Sequence, residues 1–243
     1  MKKTSKAAMV AILIALLMLV TSCDGLFTTS MAPKSAVRDT SKAAEALAKK
    51  DPADLAKDAA NVGDMKEAQK VLEALSKKSP DEISKLSEED KASIISASMT
   101  ACIDMAALAG AIDVDALSSG DADPSEIIGE VLKTFSGANT TCVQYILEAS
   151  LDENGNLIDA DNMSEETMKN LALGAVSVAA SAVSGTEDKD FDKLLDAMEN
   201  GGEAKDILPD GDDKTALETS LKTLEALSDA GFSFEDLFAG FAG

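Results

Sequence analysis

The stretch LALGAVSVAASAV, Leu171 to Val183, runs for thirteen residues without a charge. A helix that is apolar on every side belongs in a core or in a bilayer. A second stretch, IISASMTACIDMAALAGAI from Ile94 to Ile112, has the same character and a single charge, Asp104. Both are short for a membrane span, which takes about 20 apolar residues. Both are rich in Ala, Ser and Gly, which let helices approach closely, and both have acidic flanks. They predict a tightly packed pair of core helices; membrane-inserting hairpins are the rival reading.

Outward from that pair, the chain from about Ser41 onward is dominated by Ala, Leu, Lys and Glu, all good helix formers. Its punctuation is helical. Ser87-Glu88-Glu89-Asp90, Asp123-Pro124-Ser125-Glu126 and Ser164-Glu165-Glu166 each supply a cap and early acids. Asp51-Pro52 and Ser79-Pro80-Asp81-Glu82 begin shorter helices. Long period-two alternation of β-branched residues is missing. Candidate helices are 41–50, 52–60, 64–77, 88–111, 124–136, 138–150, 164–184, 188–199, 212–230 and 233–241. The expected fold is all-α, a multi-helix bundle or irregular helical array.

The first residues are organised differently. Lys2, Lys3 and Lys6 precede an apolar run from Ala7 to Val20, closed by Thr21-Ser22-Cys23. A basic start, a short apolar run and small residues before a cleavage point make a secretory signal. This segment resembles a bacterial lipoprotein signal peptide, with Val20, Thr21 and Ser22 on the lipobox and Cys23 on its lipidated cysteine. Val20 and Thr21 replace the commoner Leu and Ala, a relaxed pattern similar to that of spirochaete lipoproteins. The resemblance implies a signal peptide over 1–22 and an acylated Cys23. Residues 24–40, turn-rich and broken by Pro33, read as a tether. An acidic α-helical domain would fill 41–243.

Composition narrows the function classes. Residues 1–22 hold three lysines and no acid, so the remaining 221 residues carry 19 basic against 44 acidic side chains, a charge of −25. Such an excess repels nucleic acid and anionic lipid and favours basic or cationic partners. The chain has no histidine, which excludes Ser-His-Asp and Cys-His catalysis and His-ligated zinc. With no tryptophan and one tyrosine, Tyr145, it is poor in the aromatics that stack on sugars or bases.

Cys102 and Cys142 are the thiols other than Cys23. In an exported protein they are expected to form a disulfide if their Cα atoms come within about 7 Å; the alternative is two buried thiols acting as small hydrophobes. Gly63 to Leu75 followed by Pro80 resembles the second helix of a tetratricopeptide repeat. Ala68, Leu72, Leu75 and Pro80 stand on its small, large, small and proline positions, and Leu55 fits the first helix. Pro52 and Ala59 depart from its large aromatics, and Leu75 is larger than its usual alanine. The match covers one repeat only, and a solenoid needs several, so an ordinary αα-hairpin is expected.

Asp152-Glu153-Asn154-Gly155-Asn156-Leu157-Ile158-Asp159 places oxygens at alternate positions, as a calcium loop requires. Asp152, Asn154 and Asn156 match positions one, three and five of an EF-hand-like loop, with Asp159 beyond. Leu157 stands where the glycine belongs and Met163 where the bidentate glutamate belongs. A turn held by Asx hydrogen bonds is therefore expected, with calcium the alternative and no other metal or cofactor. Near the C-terminus, Phe234, Phe238 and Phe241 share one helical face with Leu237. They either dock on the protein's own core or form a partner-docking anchor.

Together these readings give a non-enzymatic lipoprotein, anchored in the inner or outer membrane of a bacterial envelope through a Cys23 acyl group such as palmitate. Its domain would face the periplasm or the exterior and bind a protein or small molecule, not nucleic acid. The alternatives are a substrate-binding or accessory component of a membrane transporter with helical-repeat character, and a carboxylate-only or metal-dependent hydrolase.

Overall fold

The computed structural model describes residues 46–102, 137–184, 190–200, 202–208 and 211–232. Among them the chain forms α1 (Pro52–Ala59), α2 (Met65–Leu75), α3 (Pro80–Ser84), α4 (Glu88–Cys102), α5 (Thr141–Ser150), α6 (Glu165–Ser184), α7 (Phe191–Asn200) and α8 (Asp212–Asp229). Short 3-10 turns lie at Ala160–Asn162 and Ala204–Asp206. No named strand occurs among the described residues; Leu151 and Leu157 make an isolated antiparallel bridge. The all-α array expected from the sequence is the observed architecture.

Helix starts follow the caps. Asp51 accepts from the Asp54 amide at 2.9 Å, ahead of Pro52 at the first helical position. Ser79 and Glu82 form a reciprocal capping box on α3. Ser87 and Ser164 accept from the amides of Asp90 and Thr167. Each cap satisfies an amide that the first turn leaves without a helical acceptor. One further cap shifts an expected boundary. Asp190 accepts from the Lys193 amide at 3.1 Å, so α7 begins at Phe191 rather than 188. At α8 the cap is Gly211 and the helix begins at Asp212, the start expected from the sequence.

The start of α5 departs most from expectation. The Ser181 hydroxyl accepts from the Ala138 amide at 2.8 Å and lies 3.0 Å from the Ala138 carbonyl. With Ala138 bound to α6 at both polar groups, the helix begins at Thr141 instead of 138.

Of the predicted core pair, 103–112 lies outside the described residues; the described part of the first stretch, in α4, lies beside α6. Ser98 of α4 meets Ser177 of α6 at 2.8 Å, and Cys102 meets Ser181 at 3.7 Å. Both contacts have the same sequence offset, 79, so α4 and α6 run parallel. Gly174 permits the closest approach: a Cβ there would stand 3.3 Å from Ile95 Cγ1 and 3.3 Å from Val143 Cγ1. Helix α5 runs antiparallel to α6, with 138 beside 181 and 143 beside 174. Tyr145 packs from α5 as a partly buried ring.

Helix α8 forms the most extensive partnership with α6, which its charged sequence did not announce. Its C-terminus closes in a Schellman motif: Gly231 has φ of 89°, the Phe232 amide donates to Leu227 O, and the Gly231 amide donates to Ser228 O. The left-handed turn suits glycine and tucks Phe232 beside Leu227 in the main core. The α1–α2 hairpin covers α4, with Leu55, Leu72 and Leu75 fully buried. Each such side chain contributes roughly 1.5–3 kcal/mol. A second cluster, around Phe191, Leu194 and Leu217, caps the C-terminal half of α6.

Candidate functional site

Of the sequence-predicted site residues, the two cysteines Cys102 and Cys142 and the Asp152 loop fall within the described residues. Cys23, and Phe234, Phe238 and Phe241, lie outside them. Phe232, immediately before that aromatic face, is buried in the core.

Cys102 and Cys142 are not joined to one another; each stands as a buried thiol. The expected disulfide is therefore corrected to the alternative reading. The reason is where the helices put them. Cys102 faces Ser181 across the α4–α6 seam, whereas Cys142 sits at the start of α5, where its amide donates to Ser76 Oγ at 3.3 Å. Burial pushes the Cys102 thiol up from its ordinary value of 9.0 to about 11, against a smaller pull from Ser181. Burial likewise pushes Cys142 up to about 12. Both are protonated at neutral pH, the opposite of the thiolate that nucleophilic or redox chemistry requires.

The loop after α5 is a miniature hairpin. The Asp152 amide donates to Asn156 O at 2.8 Å and the Ile158 amide to Ser150 O at 2.9 Å, with Gly155 at φ of 85° in the turn. Asp152 Oδ1 accepts from the Asn154 amide at 2.8 Å and the Asn156 amide at 2.9 Å. These bonds, that from the Asn156 amide foremost, hold its carboxyl below the ordinary value of 3.8. Asp159 takes a left-handed backbone, φ 63°, and accepts from Asn162 Nδ2 at 3.2 Å. The loop is thus the expected Asx-bonded turn, with the Asp152 and Asp159 carboxylates directed to its own donors. Among the described residues no group of three or more His, Cys, Asp or Glu is arranged to hold a metal ion.

Two features escaped the sequence reading. The first is a buried hydroxyl pair. Ser98 Oγ lies 2.7 Å from Ile95 O, Ser177 Oγ lies 2.9 Å from Gly174 O, and the two hydroxyls lie 2.8 Å apart. Three contacts share two hydroxyl protons. The spacing of Ser177 and Ser181, one helical turn apart and matched by Ser98 and Cys102, was the signal available for it. The second is the junction at Leu47–Lys50, held by Lys78; nothing in the local sequence marks that lysine.

A cleft between the first turns of α4 and α6, floored by Ile95, Ile146 and Leu171, has about 20 Å³ of room, enough for a water. No described helix is long and apolar enough to cross a membrane. No family model, curated protein or solved structure matches this chain.

Proposed function

We propose that this chain is a lipid-anchored lipoprotein of a bacterial envelope, held by acyl chains on Cys23, whose acidic helical domain is a non-catalytic binding module. The observation that carries the reading is the ordered series Lys2-Lys3-Lys6, the apolar run Ala7 to Val20, and Thr21-Ser22-Cys23. Each buried methylene of an acyl chain contributes about 0.8 kcal/mol, so two or three chains give lasting attachment. The charge left after residue 22 favours a protein or small-molecule partner over nucleic acid. The thiols, neutral and enclosed, support a structural rather than a chemical use of Cys102 and Cys142. The helical hairpin α1–α2 keeps a second reading in view, an accessory or substrate-binding component of a membrane transporter.

The test is metabolic labelling with a palmitate analogue in a bacterial host. Wild-type chain takes up label and Cys23→Ser does not; undiminished labelling of the variant overturns the anchor. Native mass spectrometry of the purified protein then looks for a bound small molecule, which the transporter reading requires.

A further inference from the structure

Two asparagines of the chain precede glycine, Asn154 and Asn200. Glycine has no Cβ to shield its amide nitrogen, so that nitrogen can reach the carboxamide of the residue before it. Asn200 ends α7, where the backbone is committed to helical dihedrals. Asn154 instead lies exposed in the turn between α5 and the 3-10 turn at Ala160–Asn162. Gly155 takes φ of 85°, and a Cβ built on it would meet nothing within 4 Å, so that side of the turn is open to water. The turn also restrains the two groups that would react. The Gly155 amide donates to Asp152 O at 3.0 Å. Asp152 Oδ1 accepts from the Asn154 amide at 2.8 Å and the Asn156 amide at 2.9 Å. The Asn154 side chain adds the weakest of the pulls that lower the Asp152 carboxyl. Asp152 thus engages both the nitrogen and the carboxamide. These contacts are few and exposed, so the turn opens at far lower cost than the core beneath it.

We infer that Asn154 is a site of deamidation, a covalent modification that Asp152 restrains by holding the turn closed. When the turn opens, the Gly155 nitrogen bonds to Asn154 Cγ, the Cγ–Nδ2 bond breaks, and the proton displaced from the nitrogen leaves with ammonia. The cyclic imide then takes up one water. Opening at Cγ gives aspartate; opening at the backbone carbonyl gives isoaspartate. Nothing is oxidised or reduced. Either product sets a new negative charge beside Asp152. Isoaspartate also adds a backbone carbon between the amides of residues 154 and 156, so Asp152 Oδ1 can no longer accept from both. The Leu151–Leu157 bridge closes on this turn and Leu157 packs in the main core, so the change loosens a core contact from the surface. None of this depends on what Cys23 carries.

The purified full chain, aged in mildly alkaline buffer and mapped by mass spectrometry of its peptides, gives the conversion rate at each asparagine. Asn154 is expected to convert about tenfold or more faster than Asn61 and Asn156, which precede the bulky Val62 and Leu157. Asp152→Ala, which frees the turn, is expected to raise the Asn154 rate about tenfold and to leave Asn61 unchanged. Gly155→Ala sets a Cβ beside the nitrogen and is expected to lower the Asn154 rate about tenfold. Conversion of Asn154 no faster than Asn61 in the wild-type chain overturns the site, and that comparison needs no variant to fold. An Asp152→Ala rate equal to wild type overturns the restraint. So does a rise shared by Asn61, which reports loss of the whole fold rather than of the turn. Gly155→Ala converting as fast as wild type overturns the attack by the Gly155 nitrogen.

Discussion

The hydroxyl pair between α4 and α6 makes a sharp energetic prediction. Ser98 and Ser177 are both fully buried, and their two protons serve three contacts. In either proton arrangement one hydroxyl donates to the other and the second donates to a helical carbonyl. Ser98→Ala removes the bond between helices and leaves Ser177 donating to Gly174 O, so no buried donor is stranded. The expected cost is that of one net hydrogen bond, about 1 kcal/mol. Ser177→Ala should cost about the same, leaving Ser98 on Ile95 O. Adding the second substitution then removes only a bond to a carbonyl that already accepts from its own helix, and alanine is the better helix former by up to ~0.7 kcal/mol. The double variant should therefore cost about 1 kcal/mol or less, not about 2, a coupling on the order of 1 kcal/mol. Urea unfolding followed by far-ultraviolet circular dichroism measures all four corners of the cycle. A double variant that costs the full sum of the singles refutes the reasoning, because the contact across the seam would then carry no energy of its own.

Two other substitutions or titrations follow from the same core. Gly174→Ala places a methyl 3.3 Å from both Ile95 Cγ1 and Val143 Cγ1; the helical gain of about 1 kcal/mol is set against overpacking of roughly 1–3 kcal/mol. Net destabilisation of up to about 2 kcal/mol is expected, read as a lower urea midpoint. In the Cys23→Ser chain, Cys102 and Cys142 should resist a thiol reagent at pH 8 and react on adding denaturant. Their folded values, about 11 and about 12, lie above the ordinary 9.0, so the unfolded chain loses thiol protons first as pH rises. Stability from this source is complete below pH 9 and falls between pH 9 and the folded values. A urea midpoint that holds steady across that window counts against the burial of both thiols.

Much of the fold was legible because helical sequences announce themselves locally. Uncharged Leu171 to Val183 could only be buried or embedded, and it became the centre of the array. The caps at Asp51, Ser79, Ser87 and Ser164 depend on a single turn of chain, so sequence suffices for them. What sequence missed depends on contacts distant along the chain. Ala138 reads as a helix former, and Ser181, 43 residues away, keeps it out of α5. The central place of α8 on α6 is likewise a tertiary choice among several amphipathic helices. The cysteine pairing failed for the same reason: two helices can each bury a thiol without bringing the two together. The Asx turn at Asp152 was readable because all its partners lie within four residues.

Tyr145 is the chain's one tyrosine, and there is no tryptophan. Its place on α5, against the core, makes the protein's intrinsic emission a report from a single address. A change in that signal speaks for the contact of α5 with its neighbours, α6 and α8 among them. Optical melting curves of this molecule are therefore local measurements. Their agreement with a backbone signal would be the direct sign that α5 leaves the array together with everything else.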